Sequence, residues 1–84
     1  MLKSSSFFHD GKIYEIRAAT IDNEIKVRLF EKDQLASPVF YSVTIETAFD
    51  AKMRAFPLDL VDELMTLMEH DTISGRLRLF QNSN

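Results

Sequence analysis

The stretch FFHDGKIYEIRAATIDNEIKVRLF, residues 7–30, decides the fold. Near its start lies Asp10-Gly11, the dipeptide that best tolerates the two positive φ angles of a type I′ hairpin turn. Asp22-Asn23 offers a second two-residue turn of similar chemistry, weakened because Asn stands in place of Gly. A two-residue turn sets the register of the strands it joins, and that register can be checked against the apolar pattern. With Ile21 opposite Glu24, Thr20 faces Ile25, Ala18 faces Val27 and Ile16 faces Leu29. With His9 opposite Lys12, Phe7 faces Tyr14 on the same side. Two independent turns therefore agree on one apolar face, and the sequence predicts a three-stranded antiparallel meander over about residues 5–31.

Working outward, Pro38 opens a further strand predicted over 39–45, in which Val39, Tyr41, Val43 and Ile45 alternate with Phe40, Ser42 and Thr44. The segment Lys32 to Ser37 before it reads as too long for a defined turn, so the register of this strand stays open. The period then changes. Phe49, Met53 and Phe56 recur at i, i+4 and i+7, a helical stripe that ends at Pro57, with Thr44 or Thr47 as its cap. Pro57 suits the first turn of a second helix, with Asp59 near its start, running to about His70 or Asp71 and stopped by Gly75. Arg76-Leu77-Arg78-Leu79-Phe80 alternates again and reads as a short edge strand. The fold class is α+β: an antiparallel meander of three to four strands, then two helices packed on one sheet face, with a short C-terminal strand over 76–80.

The chain has 84 residues, 45% hydrophobic and 27% charged, which makes one small domain over residues 1–80. The polar tail 81–84 has nothing to bury and is expected to fray. A chain this short buries only about 60–65% of the surface its unfolded form exposes. It has no cysteine, so neither disulfides nor a cysteine metal site supplement the core. Apolar runs are too short to span a membrane, and Met1-Leu2-Lys3-Ser4 lacks the apolar run of a secretory signal, so a cytoplasmic protein is expected. Residues 1–34 are neutral overall, and the formal charge of −3 comes from the second half.

Two apolar surfaces stand out. On a helical wheel Leu60, Val61, Leu64, Met65, Leu67 and Met68 spread over roughly 160°, wider than the stripe a helix needs to lie on one sheet. The opposite arc is acidic and holds no lysine or arginine. On the outer face of the meander, Phe8 lies opposite Ile13, and Phe30 lies opposite Glu15 one position further along. Residues Phe8, Ile13 and Phe30 on the sheet, or Met65 and Met68 on the helix, are the candidate contact residues of a homodimer. The one-sided charge of residues 59–71 also suits a basic protein partner.

Chemical sites are poorly represented. The two glycines, Gly11 and Gly75, sit apart, so no phosphate-binding loop is present. His9 lies beside a turn. Thr66 and Ile73 occupy the positions around His70 that a helical pair of metal ligands requires. The expectation is a non-enzymatic domain without metal or cofactor, acting through protein contacts. The alternative is binding of single-stranded nucleic acid on the outer sheet face through Arg17, Lys26, Arg28 and Phe30. Glu15 and Glu24 on that face, with the acidic helix, oppose it.

Overall fold

A computed structural model describes residues 1–80 as an antiparallel sheet of five strands with two helices, an α+β fold. The strands are β1 (Lys3–His9), β2 (Lys12–Ile21), β3 (Glu24–Glu31), β4 (Gln34–Leu35) and β5 (Tyr41–Thr44), followed by α1 (Ile45–Lys52) and α2 (Leu60–Ile73). The expected fraying of 81–84 lies outside the described residues.

The meander has the register its turns dictate. His9 pairs with Lys12 and Phe7 with Tyr14, while Ile21 pairs with Glu24 and Ile16 with Leu29. Asp10 and Gly11 both take positive φ, 53° and 77°, as a type I′ turn requires, whereas in the second turn only Asp22 does, at 56°. The shared inner face is the core: Ile16, Ala18, Val27 and Leu29 are fully buried, with Tyr14 and Ile25 nearly so. Phe7 stacks on Tyr14 with ring centroids 5.6 Å apart.

A third turn lies at Lys32-Asp33, within the segment whose length suggests no defined turn. Lys32 and Asp33 both take positive φ, 50° and 62°, and reverse the chain so that Gln34 pairs with Glu31 and Leu35 with Phe30. Lysine has no side-chain acceptor to favour the left-handed region, so nothing in its chemistry advertised the turn. Strands β4 and β5 share the far side of β3. Tyr41 pairs with Val27 and Val43 with Ile25, which places both on the inner face.

The fourth long strand is shorter than the alternation from 39 to 45 implies. Thr44 closes the ladder opposite Glu24 and also caps α1, its hydroxyl accepting from the Thr47 amide at 3.1 Å, and Ile45 becomes the first helical residue. Of the two threonines considered, Thr44 is the cap. The Ile45 amide also donates to the Asn23 carbonyl, which ties the start of α1 to the second turn.

Helix α1 departs from expectation in its facing. Its buried residues are Ala48 and Ala51, while Phe49 is 62% exposed, and the helix stops at Lys52 with Met53 as C-cap. The stripe of Phe49, Met53 and Phe56 therefore does not pack on the sheet. Helix α2 starts later than Pro57 suggests. Asp59 is its N-cap, accepting from the Asp62 amide, and Pro57 lies in the connection. The helix ends at Ile73, and Gly75, at φ 80°, follows the C-cap Ser74.

Helix α2 lies across β2 and β3 and buries Val61, Met65, Met68 and Thr72. Residues 76–80 form no ladder. They run beside the loop before β5, with the Phe80 amide on the Ala36 carbonyl and the buried Ser37 hydroxyl donating to the Arg78 carbonyl. Leu77 on this segment completes the core. Among the described residues no helix is long and apolar enough to cross a membrane.

Candidate interaction surfaces

Both helices pack on the inner sheet face, so the outer face is covered by no helix. At its tip Phe8 and Ile13 are directly opposed across β1 and β2, 70% and 66% exposed. A shallow groove of about 440 Å³ runs from them past Gly11 and Lys12 to Glu31 and Lys32. Phe30 does not join them as an open patch, because only 9% of it reaches solvent. The Arg17 guanidinium sits 4.2 Å from its ring centroid and that of Arg28 5.3 Å, so two cations cover its face. Arg17 is itself held by Glu15 at 2.6 Å and by Asp33 across the third turn. These hydrogen bonds, the one it donates to Glu15 first, raise its already high pKa. Arg28 pairs with Arg17 across the ladder, and its buried Nε has no partner. Lys26 lies over Phe40, 4.8 Å from the centroid. The basic groups of this face are thus spent on its own aromatics and carboxylates.

On the helix, Met65 and Met68 are 6% and 0% exposed and pack against the sheet within one chain. Of the five residues singled out from the sequence, the structure leaves Phe8 and Ile13 open to solvent and uses Phe30, Met65 and Met68 internally. The wide arc of α2 meets the sheet, Ala48 of α1 and Leu77, and its exposed member is Leu67.

A further exposed apolar group includes the helical stripe that the spacing of Phe49, Met53 and Phe56 picks out. Ile45, Phe49 and Met53 follow one another at four-residue spacing along α1 and its cap, 42%, 62% and 69% exposed, and Phe56 in the connection is 91% exposed. The segment after α1 turns back, the Leu58 amide donating to the Ala51 carbonyl. A groove beside Ile45 and Phe49 is walled by Asn23, Glu24, Thr44 and Glu46. The signal that points to this arrangement is the pair Ala48 and Ala51, three apart on the side away from Phe49. Only small side chains let an eight-residue helix approach β5 and α2 closely.

The ionisable groups with shifted titration brace the fold. The Asp59 carboxylate accepts from the Asp62 amide, which holds its pKa down, and Lys3 adds to this from 3.4 Å. Lys3 in turn is raised, chiefly by its bond to Asp62. The Tyr41 hydroxyl donates to Asp71 at 2.6 Å, and burial first, then this bond, pushes its pKa up to about 12. Asp71 also receives the Arg76 and Leu77 amides on its carbonyl, so one residue ties β5, the end of α2 and the C-terminal segment together. His70 Nδ1 lies 3.8 Å from Asp71 and His9 lies apart at the first turn. Among the described residues no three histidines, aspartates or glutamates converge as metal ligands do. No protein-family model matches this chain, and comparison with curated proteins and with solved structures yields no match either.

Proposed function

We propose that this chain is a non-enzymatic protein-contact domain that pairs first with its own copy. The observation that carries this reading is the facing of α1, which turns alanines inward and its large apolar side chains to water. Single exposed apolar residues are ordinary, whereas a contiguous row of them marks a surface that another chain covers. The shifted ionisable groups support the same reading, since each is engaged in holding two elements together. A cytoplasmic location and a basic partner drawn to the acidic arc of α2 are compatible with it.

Light scattering over a dilution series tests the proposal. The expected result is a mass of two chains falling to one as concentration drops. A single-chain mass at every concentration up to the millimolar range would refute it. The alternative, single-stranded nucleic acid on the outer sheet face, has little support from the geometry, because Phe30 lies under two guanidiniums and Arg17 is paired with two carboxylates. Fluorescence anisotropy with short single strands at low salt, where electrostatic binding is strongest, checks it directly.

A further inference from the structure

Resting on the self-pairing just proposed, we infer that the second copy docks α1 against α1 in antiparallel orientation across a two-fold axis, so that Phe49 of each copy meets Met53 of the other. Three observations lead there.

The first is area. Ile45, Phe49, Met53 and Phe56 together expose roughly 500 Å² of side chain, since a fully exposed aromatic side chain offers on the order of 200 Å². Two copies that cover all of it bury about 1,000 Å², the lower bound of a specific interface. The hairpin tip, with Phe8 and Ile13 alone, offers about half as much.

The second is charge. Glu46 lies in the first turn of α1 and Lys52 in its last, beside Asp50, with Arg54 just beyond the C-cap. Lys52 lies 3.9 Å from Asp59, whereas Glu46, Asp50 and Arg54 form no ion pair among the described residues, so Glu46 and Arg54 carry the contrast between the two ends. An antiparallel pair sets the acidic start of each helix beside the basic end of the other and opposes the two helix dipoles. A parallel pair sets like beside like. The same stripe therefore complements itself in one orientation, which is what an isologous two-fold contact demands.

The third is position. Helix α1 sits beside β5, on the opposite side of the sheet from the edge strand β1, and its start is pinned to the turn at Asn23. The stripe therefore stands on a braced element, and Phe49 can be changed without opening the core.

The absence of cysteine makes the geometry directly testable. Single variants Glu46→Cys and Arg54→Cys are prepared and oxidised separately and as a mixture. The mixture is expected to give disulfide-linked dimers joining unlike chains, and each variant alone to give several-fold less. Phe49→Asp is expected to raise the dimer dissociation constant on the order of a hundred-fold with an unchanged circular-dichroism spectrum, because hot-spot side chains carry most of an interface, and to melt at a temperature that no longer depends on protein concentration. Phe8→Asp is expected to leave dissociation unchanged. Preferential cross-linking of like chains through Glu46→Cys overturns the antiparallel orientation. A dimer that survives Phe49→Asp and is lost in Phe8→Asp overturns the α1 interface while the self-pairing itself stands. A wild-type chain that is single at every concentration overturns both.

Discussion

Truncating Met68 separates a core methionine from an interface methionine. Its side chain is fully buried at the centre of α2, facing the sheet beside Ile16, Val27 and Leu29. Met68→Ala removes two carbons and a sulfur from that site, about 2 kcal/mol of transfer energy at ~0.8 kcal/mol per buried group. The vacated space is on the order of 70 Å³, and at ~24 cal/mol per Å³, with partial collapse, it adds about 1 kcal/mol. The total, about 3 kcal/mol, is a large share of the roughly 4–12 kcal/mol that a chain of this length commands. It corresponds to a fall in melting temperature of about 12–24 °C. Alanine is as good a helix former as methionine, so α2 itself gains no penalty. The assay is urea denaturation followed by far-ultraviolet circular dichroism, at two protein concentrations ten-fold apart, with Leu67→Ala as the comparison. Leu67 is 47% exposed on the same helix and should cost under about 1 kcal/mol. The cost of Met68→Ala should be the same at both concentrations. If it is no larger than that of Leu67→Ala, or disappears on dilution, Met68 meets another chain and its placement in the core is wrong.

Asp59→Ala should lower stability by about 1 kcal/mol through loss of the α2 cap, read as a shift in urea midpoint. Because the folded pKa of Asp59 lies below its ordinary value, its contribution is present above about pH 4 and is lost as the pH falls further, a loss that Asp59→Ala should not show. Tyr41 behaves in the opposite sense. Its folded pKa is raised to about 12, so its contribution is complete below pH 10 and drains away between pH 10 and 12, and a thermal-melt series over that range should show a smaller decline in Tyr41→Phe. At neutral pH Tyr41→Phe should cost about 1–2 kcal/mol, since Asp71 loses its hydroxyl partner. Lys32→Gly should stabilise by about 0.5–1 kcal/mol, because lysine there carries a positive φ of 50° that glycine adopts freely; an equal loss would show that the turn depends on the lysine side chain.

Reading the strands from sequence succeeded where the chemistry was local. Asp10-Gly11 and Asp22-Asn23 each close a turn of two residues, and everything on the inner face from Phe7 to Leu29 follows from counting outward. The cap of α1, as one of Thr44 and Thr47, and the stop at Gly75 were legible for the same reason, since each acts on amides or angles within a few residues of itself, whereas Asp59 read as a residue near the start of α2 and proves to be its cap. The turn at Lys32-Asp33 is equally local but has no residue with a preference for it in its first position, and β4 went unread with it.

The contact surface is a different matter, because helical spacing states that residues share a side and not which side faces in. On α1 the large residues Phe49 and Met53 form one stripe and the small residues Ala48 and Ala51 another, and either satisfies an apolar pattern. The choice depends on distance. With β5 only four residues long and the Ile45 amide held by Asn23, the helix starts hard against the sheet, where alanine fits and phenylalanine does not. For α2 the wide arc was readable, but not whether a second subunit or the chain's own sheet and first helix filled it; in the structure the sheet and Ala48 of α1 share that core with Leu77, whose place is set by Asp71 and Ser37 far apart in sequence. Turn chemistry and periodicity thus determined the three-stranded meander, its pairing and the presence of two helices. The direction in which each apolar stripe faces was decided only by the space left between elements that the sequence brings together from a distance.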